Sequence, residues 1–282
     1  LFTCPRCENI IIDSHPEKCN CGYHVSVIDD VYQFTVDDPI SIKENELKWL
    51  GYEKVGENYE PAYALSKNIT NFGIFGLCAK MLAKLLGEGK VVLDLGAGLG
   101  QASIPLALEN VNVVAIDISQ KMISIAAKRA KDNKVPDGKF ICARMNAYDL
   151  HFADNSIDAI IALDVLHQLD HPELATNEIK RVLKKDGVLI KYNNKNIYGF
   201  SEDQTKENMY FNEVLKDINS FYSGLIKGYD TSPFSTWDKA DESIKKEFEA
   251  PEIFESEEIV SFTWSIELAL HKTKTRASGS KQ

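Results

Sequence analysis

No stretch of the 282 residues approaches the roughly 18 consecutive apolar residues that a membrane-spanning helix needs. Nor does a basic segment followed by an apolar one open the chain, so the expected location is the cytosol, with no membrane partner. Positive charge is also scarce. Against 42 Asp and Glu stand 32 Lys and Arg, a formal net charge of −10. Phosphate backbones select clustered cations whose binding releases counterions, so this balance argues against a nucleic-acid partner. The local cluster Lys180, Arg181, Lys184 and Lys185 reads as the solvated face of a helix. No internal repeat is present. Cysteine is sparse as well: there are six, of which Cys78 and Cys142 sit in apolar text as buried small hydrophobes. The other four crowd into the first 21 residues.

What is there is an ordinary globular composition, 44% hydrophobic and 26% charged, enough for one large domain and a small one. Residues 1–36 form a cysteine-bearing mini-domain, with "YHVSVIDDVYQFT" reading as strand, turn and strand. Residues 37–88 read as a helical linker or lid. Leu77, Met81, Leu82 and Leu85 recur there at helical spacing, and Gly87 stops the helix. Residues 89–195 alternate apolar runs with amphipathic helices, the pattern of a Rossmann-like, doubly wound α/β sheet. Strands are expected at "KVVLDLG", "VNVVAID", "KFICAR", "IDAIIALD" and "GVLIKYN". Helices are expected near 101–109, 119–132 and 172–184, the second with Ser119 as N-cap. Residues 196–282 read as a C-terminal helical region covering the substrate, ending in a disordered tail.

"VVLDLGAGLG" carries the most information, because an apolar strand runs straight into Gly96, Gly98 and Gly100 and then into a helix. Glycine there permits tight turns and close backbone approach to a ligand. Dinucleotide-binding enzymes use a similar loop, but their third glycine would fall where Gln101 stands. With Asp94 two positions ahead of the first glycine, the stretch resembles the first motif of class I S-adenosylmethionine (SAM) methyltransferases, an acid followed by G-x-G-x-G. The resemblance runs over roughly residues 60 to 195. It includes "MNAYDLHF", "DNSIDAIIALDVLHQLDHPE" and "IKRVLKKDGVLIKYNN", in the family's order.

The resemblance implies a role for each matching residue. Gly96, Gly98 and Gly100 let the backbone pass close to the methionine part of SAM, and Asp94 orders their loop. Asp117, ending the second strand, accepts from the ribose hydroxyls; its ordinary alternative is a helix-capping Asp. Asn146 stands in for the family's adenine-binding Asp, and Ala147 offers its amide to the ring. Met145 and His151 depart from the family's glycine and proline, while Asp149 reads as a loop residue ahead of Leu150.

Methyl transfer is an in-line displacement at an activated carbon, so the protein's work is positioning and exclusion of water. A hydroxyl or carbon acceptor benefits from a base. Asp164 lies where the family places the methyl group, and His167 follows within a helical turn; both are the catalytic candidates. His171 reads as a helix-start residue. Tyr192 and Asn193 could line the acceptor pocket, Tyr59 and Tyr63 a lid, and Phe262 and Trp264 an apolar wall. The two antiparallel strands that usually end this fold are expected to be short or absent.

Cys4 and Cys7 make a C-x-x-C knuckle, with Cys19 and Cys21 as the second pair. Four thiolates can close a tetrahedral zinc shell, which stabilises a fold too small to bury a core. The C-x-C spacing tightens the chelate and leaves His15 or His24 as alternative ligands. The pattern is similar to zinc ribbons ahead of certain ribosomal-RNA guanine methyltransferases. The expected activity is thus SAM-dependent methylation of a small molecule, with SAM and zinc as cofactors. An RNA base methyltransferase or a non-catalytic SAM-binding scaffold is the alternative.

Overall fold

The computed structural model describes residues 2–11, 19–34, 73–163, 165–192, 234–255 and 267–272. Its described strands form one sheet. In chain order they are β1 (Val27–Ile28), β2 (Val31–Gln33), β3 (Val91–Leu95), β4 (Asn112–Asp117), β5 (Phe140–Arg144), β6 (Ile157–Ile161), β7 (Leu183–Tyr192), β8 (Glu252–Glu255) and β9 (Glu267–Lys272). The spatial order is β1-β2-β5-β4-β3-β6-β7-β9-β8. Strands β5, β4, β3, β6 and β7 run parallel. Buried on both faces, β3 to β6 read as the near-continuous apolar runs from which the sequence placed them.

Helices α1 (Gly73–Leu86), α2 (Ser103–Leu108) and α3 (Gln120–Asp132) cover one face, packed on Val92, Val113 and Ala115. Helices α4 (Pro172–Val182) and α5 (Phe234–Glu247) cover the other, over Leu93, Val114, Ile160 and Leu189. Gly87, at φ 80°, ends α1 by returning its amide to Ala83 O. The buried stripe of α1 runs through Ala79 and Leu82, while Leu85, expected inside, is 42% exposed. Ser119 caps α3, its hydroxyl accepting from the Met122 amide. His171 is the N-cap residue of α4, with Pro172 following at the first turn.

Two departures from the sequence reading matter. Strands β9 and β8 are present, short at six and four residues, and pair antiparallel beyond β7. The described part of 196–282, expected to be helical, therefore holds one helix and two strands. At the opposite edge, the cysteine-bearing segment feeds a hairpin into the same sheet. Asp29 and Asp30, both at positive φ, make its two-residue turn. Strand β2 then pairs parallel with β5, Val31 opposite Cys142 and Gln33 opposite Arg144. Phe2, Cys4, Ile11, Val25 and Phe34 share one apolar core with Leu93, Leu95 and Phe152. Among the described residues no helix is long and apolar enough to cross a membrane.

Candidate cofactor site and thiol cluster

The order of connections reverses at β3: its successors β4 and β5 lie to one side and β6 to the other. Open α/β sheets bind ligands in the crevice at such a switch point, off the carboxyl ends of the strands. The glycine loop leaves β3 there. Gly96 has φ 71°, and a Cβ on it would lie 2.6 Å from Val165 Cγ2 in the segment after β6. Gly100 has φ 76°, and its Cβ would meet Ile104 Cδ1 at 2.9 Å. The left-handed backbone disfavours a side chain at both positions, and at Gly96 the Val165 side chain also leaves no room.

Asp117 ends the neighbouring strand and holds the loop. Its Oδ2 accepts from the Gly98 amide at 2.9 Å and its Oδ1 from the Ser119 amide at 2.9 Å. The Ile118 amide also hydrogen-bonds this carboxylate, whose roughly four lone-pair sites leave room for a further donor. Burial pushes this carboxyl above the usual range, and the amides of Ser119 and Gly98 pull it back. Asp94, only 3% exposed, accepts from the Ser103 hydroxyl at the start of α2. Burial is the main cause that pushes Asp94 up to about 7; the Ser103 hydrogen bond opposes it and the charge of Asp117 adds to it.

The turn after β5 lies against the same strand end. Met145 N donates to Asp117 O at 3.1 Å, and Arg144 Nε to Ile118 O at 2.9 Å. Asn146 closes the turn: its Oδ1 accepts from Tyr148 N at 3.0 Å, and its carbonyl accepts from Asp149 N at 3.1 Å. One lone pair of the Asn146 side-chain oxygen is thus committed to the backbone and one is left. Ala147 sits half-buried in this turn. The fold therefore brings Asp94, the three glycines, Asp117, Asn146 and Ala147 to the carboxyl ends of three adjacent strands.

Residues 93–191 match the family model described as a methyltransferase domain. The chain is 32% identical over 136 residues to a demethylmenaquinone methyltransferase of Renibacterium salmoninarum, covering 48% of this chain and 54% of that protein. It is 30% identical over 108 residues to a phosphatidylethanolamine N-methyltransferase of Cereibacter sphaeroides, covering 38% and 52%. The chain spans about half the length of these curated relatives. A SAM-dependent methyltransferase from Aquifex aeolicus superposes with a TM-score of 0.52 at 16% identity, over 77% of this chain and 97% of that one. At that identity the likeness concerns the fold.

Some expected residues of the matched region and its flanks lie outside the described residues: Asp164, Asn193, Tyr59, Tyr63, Phe262, Trp264 and His15 among them. The backbone of His167 lies in a short 3-10 turn, Leu166–Gln168, directly after the Gly96 contact at Val165. Tyr192 ends β7.

Other residues near this site are not legible in the sequence. Arg129 on α3 donates from Nη1 to Leu99 O at 2.9 Å, and Gln101 Oε1 accepts from Leu99 N, so both flank the glycine loop. Arg181, expected on a solvated face, donates to Phe152 O at 2.8 Å and to Leu150 O at 2.5 Å, while pairing with Glu178 and Asp154. Glu178 in turn accepts from Leu150 N at 2.8 Å. Two lysines of that basic stripe are paired too, Lys180 with Glu247 and Lys184 with Asp158. Helical spacing accounts for the Glu178–Arg181 pair, three residues apart on α4; the other partners come from other elements of the fold.

The four N-terminal cysteines converge. Cys4 Sγ lies 3.6 Å from Cys21 Sγ, Cys7 Sγ lies 3.5 Å from Cys19 Sγ, and all four sulfurs fall within 4.8 Å of one another. Tetrahedral metal–sulfur bonds of about 2.3 Å place sulfurs about 3.8 Å apart, so the set fits a single soft cation. Arg6 N donates to Cys4 Sγ at 3.4 Å, as a thiolate in a knuckle requires. His24 is exposed and lies outside this group.

Proposed function

We propose that this chain transfers the methyl group of SAM to a small-molecule acceptor. The observation that carries this is the Gly98–Asp117 hydrogen bond, which fixes a glycine loop and an acid with open lone pairs at the switch point of a methyltransferase domain. When bound, SAM supplies an electrophilic methyl carbon on its sulfonium, open to in-line displacement. The chain's own residues do the positioning. The backbone at Gly96, Gly98 and Gly100 lies against the methionine part, and Asp94 steadies that loop through Ser103. The remaining acceptor capacity of Asp117 would serve the ribose hydroxyls. Asn146 Oδ1 accepts from the adenine amine and Ala147 N donates to the ring. Asp164 and His167 orient the acceptor and take its proton where it carries one.

A small molecule is favoured as acceptor by the net charge of −10 and by the carboxylates paired with the basic stripe. The relatives are named for acting on demethylmenaquinone and phosphatidylethanolamine. The four thiols hold one zinc ion in a cytosolic, reducing setting.

Incubation of the purified protein with methyl-labelled SAM and a cell extract split into RNA, protein and small-molecule fractions tests the proposal. Label in the small-molecule fraction supports it and delivers the acceptor. Label in RNA would replace it with the RNA reading. Bound SAM with no label in any fraction would favour a scaffold.

A further inference from the structure

We infer that the thiol cluster is thermodynamically coupled to the cofactor site, so that a metal ion in the cluster tightens adenosine binding and bound adenosine retards metal loss. This rests on the reading of the chain as a zinc- and SAM-binding protein.

The coupling follows from where the two halves of the cysteine-bearing segment attach. The half with Cys4 and Cys7 grips the chain just after the Asn146–Asp149 turn. Thr3 N donates to His151 O at 2.9 Å, and Phe2 pairs as an isolated antiparallel bridge with Phe152. The half with Cys19 and Cys21 runs through Val25 into the hairpin and grips the chain just before the turn. Phe34 N donates to Arg144 O at 3.0 Å, and Gln33 sits opposite Arg144 in register. The Phe2 ring joins both grips, 5.0 Å from Phe34 and 5.0 Å from Phe152, with all three buried. His151 stacks on Phe34 at 5.9 Å.

The two flanks of the adenine turn are therefore held by two short pieces of chain, joined to each other by the sulfur cluster together with the Phe2–Phe34 stack and Arg6 over the Tyr23 ring. A segment this small buries little core by itself, so a metal that closes the cluster sets how firmly the pieces stay together. With the flanks fixed, the turn carrying Asn146 and Ala147 is preorganised, and ligand binding no longer has to order it. Linkage makes the effect mutual: whatever factor metal adds to adenosine affinity, adenosine adds to metal affinity.

The test uses the full chain loaded with zinc and S-adenosylhomocysteine (SAH) as the probe. Calorimetry on zinc-loaded and chelator-stripped protein is expected to give a dissociation constant roughly tenfold weaker without zinc. Conversely, saturating SAH is expected to slow zinc transfer to a chromogenic chelator by roughly tenfold. The variant Phe2→Ala keeps the four thiols but removes the joint between the grips, and should retain zinc while losing both effects. If stripped protein unfolds, the zinc-release arm on loaded protein decides alone. Zinc release unaffected by SAH overturns the coupling yet leaves zinc and SAM binding intact. A chain that retains no zinc, or binds no SAH, overturns the underlying reading together with the coupling.

Discussion

The Gly98 amide and the Asp117 carboxylate are 2.9 Å apart, and this hydrogen bond ties the loop leaving β3 to the end of β4. The bond explains how one acid can serve two purposes. It holds the loop in shape with one lone pair of Oδ2, and under the proposed function the remaining acceptor capacity serves the ribose. A ligand that fills the crevice then meets a site already ordered, so binding costs little rearrangement.

Gly96 should not tolerate a side chain. Gly96→Ala places a methyl 2.6 Å from Val165 Cγ2 on a backbone with φ 71°. Thermal unfolding is expected to show a loss of about 2–4 kcal/mol, of which left-handed strain is about 1–2 and overpacking the rest. Adding Val165→Ala should restore the overpacking share and leave the strain. Equal stability of both variants would show that the contact does not matter.

The buried acid and the buried imidazole predict opposite pH limbs. Asp94 has a folded pKa of about 7 against 3.8 for an unperturbed Asp. A raised carboxyl adds stability that is complete below 3.8 and lost as pH rises through about 7. His271, buried beneath α5, is depressed to about 4 from 6.5, so its contribution is complete above 6.5 and lost as pH falls through about 4. Melting temperatures from pH 4 to 8 should show a shallower alkaline decline in Asp94→Asn and a shallower acid decline in His271→Leu. Slopes identical to the parent in both would contradict these assignments.

Arg181 is predicted to be a structural clamp. Arg181→Met leaves the Leu150 and Phe152 carbonyls and Glu178 without their cation, at an expected cost of about 2–4 kcal/mol in denaturant unfolding. A surface residue would cost less than about 0.5 kcal/mol.

Asp164 and His167 are predicted to act on the acceptor. Asp164→Ala and His167→Ala should each lower kcat for methyl transfer by about 10²-fold or more if the acceptor must lose a proton, with SAH affinity unchanged. Unaltered transfer in both variants would remove them from the chemistry.

The parts of the molecule legible in its sequence are those fixed locally. Strands β3 to β6 announce themselves as apolar runs because parallel strands at the centre of a sheet are buried on both faces. Ser119 and Gly87 follow from capping rules that need only neighbouring backbone. The glycine loop is legible for the same reason, since positive φ at Gly96 and Gly100 admits little else. What depends on distant partners was not legible. Strand β9 is recognisable only by its insertion between β7 and β8. Arg181 looks like any helical surface cation until Leu150 and Phe152 arrive beside it. The hairpin after the cysteines reads as part of a separate unit, because its pairing with β5 spans more than a hundred residues of chain.

The central claim, that the loop and acid at the end of β3 and β4 form the cofactor site, is tested most directly by SAH titration calorimetry on the parent and Asp117→Ala. One site per chain is predicted in the parent. Loss of charge-assisted hydrogen bonds to the ribose should weaken binding at least tenfold in the variant, about 1.5–3 kcal/mol. No binding by the parent, or equal affinity in a folded Asp117→Ala, would contradict it.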